Sequence, residues 1–249
     1  MILTNDIISE LILSQTANGI AATTGIDSLE HCKDKTRFKT YHKEIIYHYN
    51  YMGYRDIEWP SNISQQYWAI GDSFTVGLGQ PSNETWSNIL SNRVGKRIIN
   101  VSMNGASNDW IARRALYILK YLQPKVIFIQ WSYLHRRELT DNTLLDEERA
   151  IWHSTDSIND IGNFIDNLKT VESNKDQTQI IHSFIPEFAN PQSQDALIIF
   201  NIMHQINALM FPPCKQIDYS RDGHHYDVET ANNYANGYFN ILNQLKING

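Results

Sequence analysis

Three residues whose side chains can together activate a hydroxyl group occur at two distant points of the sequence. Ser73 follows the apolar run Tyr67–Ile70 within a Gly-Asp-Ser tripeptide, and Asp222 and His225 lie three positions apart much later in the chain. Taken alone, Gly-Asp-Ser is equally compatible with an ordinary turn. A serine hydroxyl is a weak nucleophile until a base takes its proton, and a carboxylate can orient that base. The pattern therefore predicts Ser73 as nucleophile, His225 as base and Asp222 as the orienting acid.

The segments around these residues alternate between apolar strands and amphipathic helices. Apolar runs predict five strands, at 67–70, 97–101, 125–131, 178–184 and 215–219. Helical periodicity and capping residues predict helices at 84–95, 107–123, 196–210 and 228–246, with further helical segments before 171. Strands that alternate with helices form a parallel sheet that is covered on both faces and joined by right-handed crossovers.

This alternation predicts where the three side chains meet. Ser73 ends the first predicted strand, and Asp222 and His225 lie in the loop between the last strand and the last helix. In a parallel sheet these positions share the carboxyl edge, where open α/β folds bind their ligands. We therefore expect an α/β domain at 67–249, with a three-layer αβα arrangement around a five-stranded parallel sheet. Residues 1–66 are expected to form an N-terminal extension packed on that core.

The composition excludes several classes of function. The chain of 249 residues has a formal net charge of −6 and no cluster of lysines and arginines, whereas nucleic-acid binding requires such clusters. No apolar stretch approaches the roughly 20 residues that span a bilayer, and the first residues lack the basic and apolar regions of a signal peptide. We expect neither a nucleic-acid partner nor a membrane span, and a cytoplasmic location by default.

Three blocks of the sequence together resemble the SGNH, or GDSL, esterase and lipase family. They are Gly-Asp-Ser-Phe-Thr-Val-Gly at 71–77, Asn-Val-Ser-Met-Asn-Gly-Ala-Ser at 100–107 and Asp-Gly-His-His at 222–225. The resemblance covers about residues 67–245 and implies a flavodoxin-like fold that uses no cofactor. It also implies an oxyanion hole to which the backbone N–H groups of Ser73 and Gly105 contribute.

One block departs from the family pattern. The family has Gly-x-Asn-Asp after the third strand, and the Asn side chain is a further oxyanion donor. Here Leu134 occupies the equivalent place in the simplest register. A polar side chain at the same sheet edge can replace that donor. Ser132, the first residue after the third strand, is the preferred candidate, and Asn104 and Asn108, which flank Gly105, are the alternatives.

Other polar residues near the predicted site have two interpretations each. Tyr133 and Arg136 follow the third strand and are expected to contact the substrate, and a solvated loop is an equally good interpretation. The stretch 222–227 contains aspartates and histidines, which are metal-ligand types, but their spacing is irregular and no other histidine group pairs with them. We therefore expect no metal site.

The sequence thus predicts an esterase of the SGNH type that acts on a small-molecule or carbohydrate ester. Two alternatives stay open. The same site acts as an O-acyltransferase if a sugar hydroxyl intercepts the acyl-enzyme, or the chain is a non-catalytic carbohydrate-binding module of the same fold. The missing Asn favours the binding module, whereas the intact Ser73 and Asp-x-x-His pattern argues against it. Neither the acyl group, the alcohol nor the oligomeric state follows from the sequence.

Overall fold

The computed structural model describes residues 11–13, 20–21, 43, 45–63, 66–139, 152–153, 157–190 and 193–245. Within these residues the chain forms nine short strands. In chain order they are β1 (Ile20–Ala21), β2 (Tyr47–His48), β3 (Tyr67–Ile70), β4 (Ile98–Asn100), β5 (Val126–Trp131), β6 (Arg136–Arg137), β7 (Trp152–His153), β8 (Gln179–Phe184) and β9 (Leu209–Met210). Five of them build the central sheet, and the other four pair as two antiparallel ribbons, β1 with β2 and β6 with β7.

All neighbouring strands of the central sheet are parallel, in the order β4-β3-β5-β8-β9. The register pairs Trp68 with Ile99 on one side and with Ile127 on the other. Numbered along the chain, the five strands run 2-1-3-4-5, which is the order of flavodoxin-like folds. Ligands of such folds bind outside the carboxyl ends of the first and third strands. Here that switch point lies between β3 and β5, and Ser73 follows β3.

The central strands are buried on both faces. Every residue of β3 and β5 is buried, as expected for apolar strands between two helical layers. Alternate residues of β5 face opposite layers. Phe128 packs edge-on against Trp86 on one side, and Trp131 packs edge-on against Phe164 on the other. The hydrophobic core therefore lies on both sides of the sheet.

Six α-helices accompany these strands in the described residues. They are α1 (Ser73–Val76), α2 (Trp86–Val94), α3 (Asn108–Tyr121), α4 (Ser157–Ser173), α5 (Gln194–Gln205) and α6 (Val228–Gln244). Helix α2 packs against α6, and α4 packs against both α3 and α5. The first pair covers the Phe128 face of the sheet and the second group covers the Trp131 face. None of the helices in the described ranges combines the length and the apolar character needed to cross a bilayer.

The predicted three-layer α/β fold with a five-stranded parallel sheet is confirmed. The first four strands lie within one residue of their predicted bounds, because each contains a core of consecutive apolar residues. The predicted cap of the second long helix is also observed. Ser107 precedes α3 and its hydroxyl accepts the Trp110 N–H at 3.2 Å.

The fifth strand is not where the sequence predicted it. Residues 215–219 form no strand, and the edge strand is β9, at the end of a stretch predicted to be helical. Helix α5 ends at Gln205, and Asn207 beyond it adopts a left-handed φ of 52°. The two consecutive prolines after β9 lack the N–H groups that a strand ladder needs. Ile217 and Tyr219, whose alternation suggested a strand, are 55% and 49% exposed.

The described part of residues 1–66 contacts the central domain. The Tyr54 hydroxyl donates to the Leu11 carbonyl at 2.7 Å, which joins two parts of the extension. Trp59 packs edge-on against Trp68 of β3, with ring centroids 5.5 Å apart. These contacts attach the extension to the face of the first central strand.

Candidate active site

Ser73 is the first residue of α1 and directly follows the tight turn that leaves β3, at the carboxyl edge of the sheet. Asp72 is the N-cap of α1, and its side chain accepts the Phe74 N–H at 3.0 Å. This cap ends the strand and starts the helix within two residues. Ser73 is only 2% exposed, so the turn directs its hydroxyl toward neighbouring side chains rather than toward open solvent.

The segment that carries Ser73 packs closely against the neighbouring strand β5. A Cβ added at Gly71 would lie 2.2 Å from Thr75 Oγ1 and 3.0 Å from the Gln130 carbonyl oxygen. A side chain at position 71 would therefore prevent α1 from packing this closely against β5. The Thr75 hydroxyl donates to Gln130 Oε1 at 2.7 Å, and the Tyr226 hydroxyl donates to the Phe74 carbonyl at 3.1 Å. Tyr226 therefore joins the helix that begins at Ser73 to the segment that carries His225.

The structure brings together the three side chains predicted to activate a hydroxyl group. His225 Nε2 lies 2.8 Å from Ser73 Oγ, and His225 Nδ1 lies 2.5 Å from Asp222 Oδ2. An ionised carboxylate only accepts hydrogen bonds, so Nδ1 carries the ring hydrogen of the neutral imidazole. Nε2 is then left to accept the hydrogen of Ser73, which is the geometry of a base.

Asp222 accepts further hydrogen bonds besides the one from the imidazole. Its Oδ1 accepts the backbone N–H groups of His224 and His225, at 2.8 and 2.9 Å, and the Ser220 hydroxyl at 2.8 Å. Burial by itself would raise the pKa of Asp222, but the hydrogen bonds and the charge interaction with His225 outweigh it and hold this pKa below its ordinary value. The carboxylate therefore stays ionised beside the imidazole.

The backbone N–H groups of Ser73 and Gly105, the two predicted oxyanion donors, have no protein acceptor within the described part of the chain. The adjacent N–H groups of Asp72 and Asn104 have none there either, so this feature alone does not distinguish the pair. The loop that carries Gly105 is attached to the segment between β3 and Ser73, because the Met103 N–H donates to the Gly71 carbonyl at 3.2 Å. The N–H groups of Ser73 and Gly105 thus lie on segments that leave the adjacent strands β3 and β4 at the same edge.

Ser132, the preferred third donor, is engaged elsewhere. Its hydroxyl donates to Asp72 Oδ2 at 2.6 Å, so its only hydrogen is not available to an oxyanion. The physical reason is the complete burial of Asp72. A buried carboxylate needs hydrogen-bond donors from the protein, and Ser132 and Arg136 supply them. The sequence could not show this, because it depends on where the Asp72 side chain points.

Asn108 and Asn104, the two alternative third donors, differ in whether their side chains are already hydrogen-bonded. Asn108 is also engaged, because its Nδ2 donates to the carbonyls of Ser132 and Tyr133 at 3.2 Å each. Asn104 is exposed. Sequence reasoning missed Ser102, two residues beyond β4, which is 3% exposed and carries the only buried hydroxyl without a hydrogen-bond partner in the described ranges. Its place in the second family block was the one signal that pointed to it.

Arg136 was predicted to contact substrate, and the structure places it against Asp72. Its Nη1 lies 2.9 Å from Asp72 Oδ2. The guanidinium group also lies over the ring of Tyr133, 4.7 Å from the ring centre. The side chain is largely covered, so its main role in this arrangement is to balance the buried negative charge next to Ser73.

Replacing Arg136 with methionine is expected to destabilise the fold, because Asp72 loses its cationic partner while staying buried. Breaking a buried ion pair costs about 3–5 kcal/mol, and we expect about 2–3 kcal/mol here because Arg136 is partly exposed. The free energy of unfolding is measured by urea denaturation. Arg113→Met is the control, since its ion pair with Glu138 lies nearer the surface and should contribute no more than about 1 kcal/mol. Equal losses in both variants would contradict the role assigned to Arg136.

A cleft of about 590 Å³ opens beside the segments that carry Ser73 and His225. Its lining combines the rings of Phe74, Tyr133 and Tyr219 with the charged side chains of Glu187 and Lys215. Tyr133, the other predicted substrate contact, is therefore at a surface that a ligand can reach. Burial, followed by the nearby carboxylate charges, raises the pKa of Tyr133 to about 12, so its hydroxyl stays neutral.

The two acidic side chains of 222–227 each contact another residue. Asp227 accepts a hydrogen bond from Lys43 at 3.2 Å, while Asp222 is bound to His225. Across the ranges that the structure describes, no group of three His, Cys, Asp or Glu side chains is arranged to hold a metal ion.

Comparison with known proteins gives similarity in structure alone. No protein-family model matches the sequence, and no curated protein matches it. The solved structure of TesA is 15% identical, with a TM-score of 0.54 over 73% of this chain and 99% of that one. A carbohydrate esterase, whose active site displays divergent catalytic and non-catalytic binding functions, is 17% identical, with a TM-score of 0.52 over 76% of this chain and 67% of that one.

A third match is the psychrotrophic esterase EstA from Pseudoalteromonas sp., in a structure inhibited by monoethylphosphonate. It is 14% identical, with a TM-score of 0.51 over 74% of this chain and 100% of that one. These neighbours are SGNH- or GDSL-type esterases, and at such low identity the likeness concerns the fold. The strand order, the position of the Gly-Asp-Ser turn and these matches agree: the chain has the fold of the SGNH, or GDSL, esterases.

Proposed function

We propose that the protein is a serine esterase in which Ser73, His225 and Asp222 form a catalytic triad. The main support for the proposal is a chain of two hydrogen bonds through His225. Its Nε2 lies 2.8 Å from Ser73 Oγ, and its Nδ1 lies 2.5 Å from Asp222 Oδ2. The fold neighbours are esterases, which supports acyl transfer at this edge of the sheet.

The reaction begins when Ser73 Oγ attacks the carbonyl carbon of the ester and its proton moves to His225 Nε2. The tetrahedral intermediate then breaks its bond to the alcohol oxygen, and the alcohol leaves with the proton from Nε2. The acyl group stays on Ser73 as a new ester. Water attacks that ester with His225 again as base, which releases the carboxylic acid and restores the hydroxyl. Asp222 keeps the imidazole oriented and stabilises its protonated form.

The oxyanion of both tetrahedral intermediates is proposed to bind the N–H groups of Ser73 and Gly105. One such donor contributes roughly 3 kcal/mol in a known serine protease. Because Ser132 and Asn108 have their hydrogens engaged, Asn104 and Ser102 are the candidates for a third donor in place of the missing Asn. Ser102 is the stronger of the two, since a buried hydroxyl without a partner gains most from a charged acceptor.

The cleft supports an ester of a small or carbohydrate alcohol. Its aromatic rings offer flat apolar faces, and Glu187, Lys215 and Asn190 offer hydrogen-bonding groups around them. Such mixed linings suit sugar rings, which have apolar faces and polar edges. The structural match to a carbohydrate esterase agrees with this substrate class.

Labelling with a fluorophosphonate, read by mass spectrometry, tests the activated serine. We expect one adduct, on Ser73, and none in the Ser73→Ala variant, because only a hydroxyl with a base beside it attacks phosphorus readily. EstA, which has the same fold, is inhibited by a related phosphonate. Absence of any adduct would favour the non-catalytic carbohydrate-binding module.

The hydrolysis of p-nitrophenyl acetate separates an esterase from an O-acyltransferase. Hydrolysis needs only water at the site, so an esterase turns over this substrate without an added acceptor. Negligible turnover in buffer that rises many-fold when a sugar acceptor is added would instead support the transferase.

A further inference from the structure

The N-terminal extension contacts both loops that carry the proposed triad. Loop 76–80 follows the helix of the nucleophile, and loop 220–227 contains the acid and the base. Three residues of the extension, Lys43, Tyr47 and Arg55, bind these loops, and we call them the brace. They are outside the three family blocks, so nothing in the sequence motifs points to them.

Arg55 binds the carbonyl groups of loop 76–80. Its Nη1 donates to Val76 at 3.2 Å and also to Gly77, and its Nη2 donates to Gln80 at 2.6 Å. Arg55 is 7% exposed, so these carbonyl groups and the guanidinium are both shielded from water. A planar fork of donors can hold several carbonyl groups at once, and no ammonium group reproduces that arrangement.

Tyr47 binds the same loop and supports the guanidinium group of Arg55. The guanidinium carbon lies 4.0 Å from the centre of the Tyr47 ring. The Tyr47 hydroxyl oxygen accepts the Gly79 N–H at 2.7 Å. Together the two side chains form hydrogen bonds with four backbone groups of the loop.

Loop 76–80 lies directly against the acid of the proposed triad. Gly79 has a φ of +78°, and a Cβ added there would lie 2.3 Å from Ser220 Oγ. The Ser220 hydroxyl in turn donates to Asp222 Oδ1 at 2.8 Å. A displacement of the loop would therefore move Ser220 and change the position of the carboxylate.

Lys43 binds the other loop. Its Nζ lies 3.2 Å from Asp227, two residues after the base, and 2.6 Å from Glu84. Its carbonyl group accepts a hydrogen bond from Arg221, which is 1% exposed and precedes the acid. The brace thus contacts both the loop after Ser73 and the loop around Asp222 and His225.

We propose that the brace positions the triad, with Arg55 as the positioning residue that sets the distance between the nucleophile turn and the loop of the acid and base. The inference rests on the proposed function, because it concerns the same site. Loop 76–80 contains two glycines, and in the described residues its backbone-to-backbone hydrogen bonds run only to Asp72 and Ser73 and within the loop, so they do not set its distance from the loop of the acid and base. A displacement of about 1 Å in such a support can lower a rate about 100-fold.

The test compares Arg55→Ala with Arg97→Ala in the full chain. Arg97 also joins the extension to the domain, through Asp56 and the Ile57 carbonyl, both at 3.0 Å, but contacts neither loop of the triad. We measure kcat and KM for p-nitrophenyl acetate, the rate of fluorophosphonate labelling of Ser73, and the melting temperature. Arg55→Ala is expected to lower kcat and the labelling rate about 10- to 100-fold, with KM changed less than about threefold. Arg97→Ala is expected to lower the melting temperature and to keep kcat within about twofold of the wild type.

Guanidinium ion at a concentration below denaturation is expected to restore part of the kcat of Arg55→Ala, whereas urea is not. If Arg55→Ala does not fold, Tyr47→Phe replaces it as the test variant. We expect Tyr47→Phe to lower kcat about three- to tenfold, because the Gly79 N–H loses its acceptor. The inference about the brace would be overturned if folded Arg55→Ala, or Tyr47→Phe in its place, had the kcat and the labelling rate of the wild-type protein. The proposed function would not be affected by that result. Absence of labelling in the wild-type protein would overturn the proposed function as well, so the two failures are distinguishable.

Discussion

Replacing His225 with alanine is expected to lower kcat about as much as replacing Ser73, by roughly 10⁴- to 10⁶-fold. The reason is the contact of 2.8 Å between His225 Nε2 and Ser73 Oγ. Without the base the hydroxyl keeps its proton, and without the hydroxyl the base has nothing to activate. The double variant should therefore be little worse than either single one. Steady-state kinetics with p-nitrophenyl acetate measure all three variants.

His224→Ala is the matched control for His225→Ala. His224 is the preceding residue, but its side chain is exposed and its ring lies 5.7 Å from that of Phe74. Its contribution to the acid is a backbone N–H, which alanine retains. We expect a change in kcat of less than about tenfold. A His224→Ala variant more damaged than His225→Ala would show that the base has been assigned to the wrong histidine.

Asp222→Asn is expected to lower kcat by about 10⁴-fold, the size of the effect of the corresponding change in a serine protease. The amide oxygen can still accept the backbone N–H groups of His224 and His225 and the Ser220 hydroxyl, so the loop should keep its shape. The amide nitrogen, however, donates a hydrogen where the carboxylate accepted one. His225 Nδ1 must then become the acceptor and Nε2 the donor, which removes the base from Ser73.

Asp222→Ala separates this effect from a loss of stability. Alanine removes all the acceptors of Asp222, so it should lower both kcat and the melting temperature, whereas Asp222→Asn should lower mainly kcat. Kinetics and thermal denaturation measured together distinguish the two. An Asp222→Asn variant that keeps more than about a tenth of the wild-type kcat would mean that the carboxylate does not select the tautomer of the base.

Much of the fold could be predicted because its signals are local. The run Val126–Trp131 is apolar except for Gln130, and a strand buried on both faces needs such a run. Ser107 caps its helix through its own side chain. The fifth strand had no such signal, because β9 has two residues and its pairing with β8 depends on where α5 ends. The apolar alternation at 215–219 pointed to a strand, whereas the preceding prolines and the exposure of its side chains show that it is a loop.

The site was predictable to the extent that its chemistry follows from residue type and spacing. The three-residue spacing of Asp222 and His225 indicated that the carboxylate would orient this imidazole. In the structure His225 contacts both Asp222 and Ser73. The role of Ser132 was not predictable, because the carboxylate of Asp72 turns toward it only in the folded chain. Arg55 could not be found either. Its three carbonyl partners are brought near it by tertiary packing, and they are backbone groups that every sequence contains.

The contact between Ser73 and His225 joins residues that are 152 positions apart in the chain. The base lies on the loop that leads into α6, and α6 docks on α2 across the face of the sheet. During synthesis the serine turn leaves the ribosome long before that helix exists. Until the segment that leads into α6 has reached the sheet edge, Ser73 has no contact with His225, because Asp222 and His225 lie immediately before that helix. The proposed reactivity would therefore arise at the end of folding and together with the cleft, because Gly223 and His224 of the same loop line that cleft.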